Sequence, residues 1–526
     1  MVDGSTVEVP DDGDTLLGVL RDGLGIEAVL DGCSPQGQCG CCTVLVDDAP
    51  RVACVTPARR VAGRRVTTAA GLSPDEQRRW SEAFLACGAT QCGYCTPGIV
   101  CRLVGLERRG ADLSNRAAVD RALAAHLCRC TGWQTIREAA TLASQDVSAP
   151  GLGARGLSCA ARRAGIESGG PQQSVPASVL GGFDFGADGA PAGTLTAVAD
   201  ADGDWHVAAS LADARRLAGK VQGRRTTLAP TPPIAVPEAP VGVTWDVRLA
   251  TCWSEPAYLE TDAAWCVPGG EPSDPLANGG AFGAKSPSPV REQARQLAAR
   301  LDRPIRVLWS REDVVRRGPK RPPLAAGLRA DGTGIVRVAR TPGAAAVLRG
   351  LLPWAEVVEV DVPGPPTSTT LRAAVWAEAQ MLAAALARCR AGMSCHAAAG
   401  HAVGVEIISP DGASANATVG PDGISVNIDA GEPLDHVTLR SYVIGASHMA
   451  WSWVTSESLS VDDAGEIGDL TIRSFGIARS ADTPPIEVTI QRSPRPPVPA
   501  GDAVFAAVAA ATWISRGTPP QLPTGL

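Results

Sequence analysis

Eleven of the 16 cysteines fall before residue 131, and their spacing restricts what that part of the chain can fold into. Cys33, Cys39, Cys41 and Cys42 crowd the stretch GCSPQGQCGCCT, and Cys54 follows after a strand-like run. Cys92 and Cys95 sit in QCGYCTP, and Cys128 and Cys130 in LCRCTG. With Cys41 set aside, two groups of four thiols remain. Each mixes tight pairs with distant members, as a thiolate cage requires: close pairs converge on a metal and remote thiols complete the shell. The backbone must therefore bring Cys54 back to the first triplet, and Cys128 and Cys130 back to Cys92 and Cys95.

The first group approaches the plant-type ferredoxin spacing, C-x4-C-x2-C with a remote fourth cysteine. Cys39 and Cys42 supply the x2 step and Cys54 the fourth thiol. Cys33 to Cys39 is one residue too long, and Gln38, where a strict x4 step would put a ligand, cannot be one. This reads as a one-residue insertion. Structural zinc sites favour two matched pairs around a knuckle-sized spacer, so the bunched triplet favours a [2Fe–2S] cluster over zinc. Cys41, Cys87 and Cys101 read as small buried apolar residues, not ligands.

The 526 residues suffice for about two to four domains. With 45% apolar and 20% charged residues, the composition is that of a globular protein. The net charge of −7 argues against nucleic-acid binding. The basic run Arg300–Arg321 is interleaved with apolar and acidic residues and reads as a solvated face. The acidic start, MVDGSTVEVPDDGDTLL, does not resemble a signal peptide. The longest apolar runs, such as Ala503–Ile514, fall short of the roughly 20 residues of a membrane span. A cytoplasmic location follows, with thiols serving metal in preference to disulfides.

Along the chain, residues 1–71 alternate strand-like runs with one helical run, TLLGVLRD. Within them TVLVDDAPRVACVT reads as a hairpin whose second strand carries Cys54. This predicts a small α+β domain of β-grasp type. Ser73-Pro74-Asp75-Glu76 is a capping box with proline at the first helical position. Thr96-Pro97, Ser114 or Asn115, and Gln134 or Thr135 open further helices, so residues 72–145 form a helical bundle with cysteine pairs at helix ends. Helix N-termini there stabilise an anionic cluster, and Gly40, Gly93 and Gly132 permit close approach to the sulfurs. Residues 146–176 are rich in Gly, Ala, Pro and Ser and read as a linker. Residues 177–526 alternate strands (RPIRVLWS, GIVRVAR, GISVNID) with helices (VREQARQLAARL, WAEAQMLAAALARC), giving an α+β region.

The first 145 residues resemble the iron–sulfur portion of the xanthine dehydrogenase/aldehyde oxidase family of molybdenum hydroxylases. The resemblance rests on GCSPQGQCGCCTVLVDD, VTTAAGL, QCGYCTPGIV and LCRCTGWQTIREA. It implies a β-grasp, ferredoxin-like domain and a four-helix domain, each with one [2Fe–2S] cluster. Cys33, Cys39, Cys42 and Cys54 then hold one, and Cys92, Cys95, Cys128 and Cys130 the other. It also places Gln91 and Cys130 close to a molybdopterin. The rest is more weakly similar to the family's molybdopterin-binding portion. EPAYLETDAAWCVPGGE looks like its YLET stretch, and NGGAFGAK like its glycine loop, which makes Gly279, Gly280, Phe282 and Gly283 cofactor-binding candidates. Ala281 and Ala284 replace glycines there. The family's catalytic Gly-Glu is matched by Gly501-Asp502, so Asp502 is the candidate base, with helix N-capping as its alternative. Glu260 reads as a surface carboxylate in preference to a residue supporting the cofactor site from behind, and Phe282 as either a wedge beside the cofactor or core. This half is shorter than the family's, and no flavin domain is visible.

The resemblance implies an oxidoreductase that takes electrons from a small-molecule substrate at molybdenum and passes them singly through two clusters. The acceptor is then a separate flavin or other subunit. A second reading makes the shortened half a scaffold without molybdenum.

Overall fold

The structure is a computed structural model. It describes the whole chain except residues 10–12, 146–155, 171, 173–174, 183, 221–225, 227, 287 and 395–399.

The first residues form a three-stranded antiparallel sheet in which Thr43–Val46 lies between Ala49–Val52 and Val66–Thr67. Asp47 and Asp48 turn the hairpin at φ 47° and 65°, a conformation aspartate tolerates because its short side chain bonds locally. Cys54 lies just beyond the hairpin, in the short 3-10 helix Ala53–Val55. The strand ends at Val52, two residues short of Cys54, and the thiol meets Cys33 and Cys42.

Helix Pro74–Cys87 starts at the expected capping box, with Ser73 and Glu76 bonded reciprocally. Arg116–Leu123 is capped by Asn115, and Gln134–Ser144 follows Trp133. Thr96–Glu107 differs in detail: Cys95 is the capping position and Thr96 already helical. Cys128 and Cys130 occupy the loop between the last two of these helices.

The stretch expected to be a linker is in part helical. Leu157–Ser168 is a helix, and its Arg163 and Glu167 form an ion pair with no solvent exposure. Arg163 also donates to the carbonyl of Val498, and both Glu167 oxygens accept from Ala500 N–H at 3.1 Å. A composition of small residues hid a helix whose stability comes from partners 330 or more positions away. Residues 146–155 of that expectation lie outside the described residues.

The second half forms one five-stranded and two four-stranded sheets. Its strands Ile305–Leu308, Gly334–Ala339 and Gly423–Asp429, and its helices Val290–Leu301 and Trp376–Arg390, occupy the runs whose periodicity announced them. The whole is mixed α+β. The two halves share a core: Trp253, Leu459, Ile472 and Phe475 pack in the same cluster as the cysteine-bearing loops. Among the described residues no helix is long and apolar enough to cross a membrane.

Candidate metal centres and cofactor site

The eight candidate cysteines are all buried, at 8% exposure or less. Their sulfurs come together within each set. In the first set Cys33 contacts Cys39 and Cys54, and Cys54 also contacts Cys42. In the second, Cys130 Sγ lies 3.4 Å from Cys92 Sγ, and Cys95 contacts Cys128. A [2Fe–2S] cluster needs two thiolates on each of two irons, whereas structural zinc gathers four on one point. Among the described residues no three or more metal-binding side chains gather as a single-ion site. The second set pairs two by two, and the first runs Cys39–Cys33–Cys54–Cys42, so each offers the four thiolates that a diiron cluster takes. Backbone N–H groups already point at sulfur: Gln36 N donates to Cys33 at 3.0 Å and Cys54 N to Cys42 at 3.4 Å. Cys41 is buried against Cys39 without joining a second pair, while Cys87 and Cys101 stand apart from both sets.

The one-residue insertion between Cys33 and Cys39 is tied to the second half. The Gln36 amide donates to Leu470 O at 2.8 Å and accepts from Ile472 N. Gln38 O accepts from Arg473 Nε at 2.9 Å. Arg311, with no exposure, reaches Gly32 O at 2.7 Å. The basic run containing Arg311 is thus no solvated face. Lys320 lies 2.9 Å from Glu255 with both fully buried, and Arg321 bonds Glu378 at 2.9 Å.

The expected glycines do not face sulfur. Side chains at positions 40, 93 and 132 would meet His126, Ser178 and Ile444 respectively. The glycine that faces the first set is Gly32, where an added Cβ would lie 3.2 Å from Cys39 Sγ. The one that faces the second is Gly280, whose added Cβ would come 2.7 Å from Cys92 Cβ and 3.1 Å from its Sγ. On the other side Gly445 lies so close to the Cys130 carbonyl that a Cβ would overlap it. Gly445 stands inside a helix without sequence motif, so nothing local announced it.

The glycine loop therefore roofs the second sulfur set. Gly279 abuts Gln172, and Gly283 lies against Thr370 O. Phe282 adopts φ 53° and touches the cores of both halves. The Arg372 guanidinium lies 5.0 Å over its ring. Ala281 and Ala284, at 2% and 1% exposure, fill the core of the neighbouring sheet. Asp502 is the second residue of helix Gly501–Ser515 and does not cap it, since Ala500 holds that position. Burial pushes its carboxyl up, opposed by Arg372 and Arg321, and it accepts the Ala373 N–H. Phe282, Arg372 and Asp502 thus belong to one neighbourhood. Glu260 is not on the surface: at 8% exposure it bonds Lys285 at 2.8 Å and Gly186 N at 2.9 Å, and burial raises its pKa.

A pterin needs donors and room here. Gln91 directs its amide N–H2 to Cys130 O and Ser441 Oγ, both at 3.0 Å. The cavity beside Gln91 holds ≈10 Å³ and the one beside Phe282 and Arg372 ≈20 Å³. Each accommodates about one water, against roughly 300–1,000 Å³ for a cofactor pocket. The residues fit a pterin in kind and position, but the space between them does not fit it in this conformation.

A family model described as a [2Fe-2S] binding domain matches residues 68–141, which contain the second sulfur set. The small FeS subunit of nicotinate dehydrogenase from Eubacterium barkeri is 35% identical over 125 residues, 24% of this chain and 78% of that subunit. The chain belongs to the xanthine dehydrogenase/aldehyde oxidase family of molybdenum hydroxylases. Within that family, the aldehyde oxidoreductase of Megalodesulfovibrio gigas is 36% identical over 187 residues, and the match spans only 20% of its length. Beyond the matched sequence the fold continues the likeness. The solved aldehyde oxidoreductase from Desulfovibrio gigas superposes with a TM-score of 0.69 at 15% identity, over 99% of this chain and 98% of that one. This molybdenum-hydroxylase relative thus has an iron–sulfur portion like its family's in sequence, and a second half like its family's in fold.

Proposed function

We propose that the protein is an oxidoreductase that conducts electrons singly through two [2Fe–2S] clusters. Cys33, Cys39, Cys42 and Cys54 would hold one, and Cys92, Cys95, Cys128 and Cys130 the other. The observation that supports this reading is the gathering of four buried thiols in each set, Cys39–Cys33–Cys54–Cys42 in contact in the first and Cys92–Cys130 and Cys95–Cys128 in the second. When bound, a cluster accepts and releases one electron at a time. The protein supplies the backbone N–H groups at Gln36 and Cys54 and keeps solvent from the sulfurs. By the family likeness, Gln91 and the 279–283 glycine loop would hold a molybdopterin, which would supply the chemistry that takes electrons from a small-molecule substrate. Asp502 is there the only acidic residue proposed as base. A separate flavin-bearing or other acceptor subunit takes the electrons away, in the cytoplasm. Relatives that are themselves separate subunits support that arrangement.

A second reading is favoured by the water-sized cavities beside Gln91 and Phe282. In it the second half is a scaffold that roofs the clusters and carries no molybdenum. Elemental analysis of anaerobically purified protein distinguishes the two. About four irons per chain together with molybdenum support the first, and about four irons alone the second. Zinc with no iron contradicts both.

A further inference from the structure

Three arginines of the first half, Arg51, Arg102 and Arg109, join no ion pair among the described residues. They meet where strand Ala49–Val52 packs on helix Thr96–Glu107. Gly105 makes that contact: a Cβ there would lie 2.4 Å from Pro50 Cγ. Arg51 follows Pro50 directly. Arg102 precedes Gly105 by about one helical turn, and Arg109 folds back so that its Nε donates to Gly105 O at 2.9 Å. Arg51 and Arg109 are exposed. Arg102 is half-buried, and its Nε is buried without a partner among the described residues.

The carboxylates of the surrounding elements are engaged elsewhere. Asp47 pairs with Arg64 at 2.7 Å, and Asp48 with Arg65 at 2.6 Å and Arg108 at 2.5 Å. Glu76 pairs with Arg108 at 2.8 Å and Glu107 with Arg79 at 2.7 Å. On the neighbouring helix Arg116–Leu123, Asp120 pairs with Arg116 and Arg137, both at 3.4 Å. Asp112, three residues past Arg109, is turned to Ser114, whose N–H and hydroxyl it accepts at 2.8 and 2.7 Å. The charges that face Arg102 are Arg109 and Arg51, and together with burial they lower its pKa. Three like charges thus gather without counter-charge in a chain whose net charge is −7. Such a gathering is unfavourable by itself and is relieved when an anionic surface covers it.

The patch lies close to the first sulfur set. Arg51 stands three residues before Cys54. Gly98, about one turn before Arg102, packs against the cysteine loop so tightly that a Cβ would lie 2.4 Å from Gly40 O and 2.6 Å from Cys41 O. We propose that Arg51, Arg102 and Arg109 form the docking surface for the acidic face of an electron-accepting protein. The inference rests on the iron–sulfur reading above. One electron leaves a reduced cluster, which returns to its all-ferric state, and reduces the partner's oxidised centre. No bond forms and no proton moves. Two of the three guanidinium groups are exposed, which suits a protein surface bearing carboxylates better than an enclosed small anion. The acidic remainder of the chain repels a nucleic acid, and it steers an acidic partner onto this one patch.

The probe is the soluble haem domain of cytochrome b5, an acidic one-electron acceptor. Titration calorimetry is expected to show that it binds the purified protein, and that binding weakens as salt rises from about 20 to 200 mM. In anaerobic stopped flow, the dithionite-reduced and desalted protein reduces the ferric probe with a rate constant that falls over the same range. Two net-acidic proteins without a complementary patch would repel instead, and their rate would rise with salt. Arg51→Gln and Arg109→Gln each lower the low-salt rate about two- to tenfold, and changing all three arginines to glutamine lowers it about ten- to a thousandfold and removes the fall with salt. Arg349→Gln, an equal loss of charge in the second half, changes neither. All variants keep wild-type iron content and the wild-type spectrum of the reduced clusters. Reduction of cytochrome c, a basic acceptor, is slowed by none of them. A wild-type rate that rises with salt overturns the proposal. So does a fall that the triple variant retains, an equal slowing of cytochrome c, or tighter binding of a DNA duplex than of the probe. Arginine-dependent binding to protein without reducible iron would refute the iron–sulfur reading, and with it the role in electron transfer.

Discussion

Beside Gln91 and Phe282, where the family-like motifs converge, the cavities hold ≈10 and ≈20 Å³, whereas the space between the Cys33 loop, Tyr94 and Arg215 holds ≈540 Å³. The first region is closed by its own glycines. Gly280 lies against Cys92 and Gly445 against the Cys130 carbonyl, so backbone from the second half occupies the ground next to the sulfurs. The second region lies away from that glycine loop, yet it has volume. A glycine-rich motif records that something approaches the backbone closely. Whether that is a ligand or another part of the chain depends on contacts far away in sequence.

The comparison can be broken first at the sulfurs. Cys42→Ser removes half of a pair and is expected to lose one cluster, about half the iron, while Cys41→Ser keeps both. Iron assay and reduced-state spectra check this. If Cys41→Ser alone lost the cluster, the assignment of the inserted residue would be wrong.

The closure of the first region is tested by Arg129→Ala. Arg129 lies between Cys128 and Cys130 of LCRCTG and donates to Glu457 at 2.8 Å, both residues being buried. Removing it strands a buried carboxylate, at a cost of about 3–5 kcal/mol in denaturant unfolding. A loss near zero would mean that the second half does not clamp the cluster loop. Gly280→Ala has a smaller effect, about 1–3 kcal/mol. Its methyl would press on Cys92 Cβ at 2.7 Å from a backbone of φ +79°. It should also perturb the second cluster's spectrum, whereas Leu211→Trp in the roomy region should not.

The smallest effect is a pH dependence. His448 is buried beside Gly132, with Nε2 3.1 Å from Ala478 O and Nδ1 without a partner among the described residues. Burial lowers its pKa from 6.5 to about 3. The unfolded chain therefore takes up a proton below pH 6.5 that the folded protein refuses, and stability falls as pH falls. The loss reaches roughly 2 kcal/mol by pH 5. Thermal unfolding at pH 7 and pH 5 checks it, and His448→Gln should remove that part of the slope.

Local signals carried most of the first half. The capping box at Ser73 and the hairpin through Asp47-Asp48 were legible because each depends on neighbours in sequence, and the cysteine groups because tight pairs announced remote partners. What was not legible depends on distant partners. The helix Leu157–Ser168 is secured by Glu167 holding Ala500, and the insertion loop by Arg473. Glu260 is buried because Lys285 meets it, and Arg311 because the Gly32 carbonyl does. Gly445 gives no local sign, since its role follows from a helix passing over Cys130. The second half's fold was readable from periodicity, while its closed cofactor region was not. Volume is set by how three cores meet at Phe282.

The central claim is that both sulfur sets hold a [2Fe–2S] cluster. Electron paramagnetic resonance of anaerobically purified, dithionite-reduced protein tests it most directly. Two distinct S = 1/2 signals, each integrating to about one spin per chain, are predicted. Cys128→Ser should remove one of them and leave the other unchanged. A single signal in the intact protein, or none alongside bound zinc, would contradict the claim.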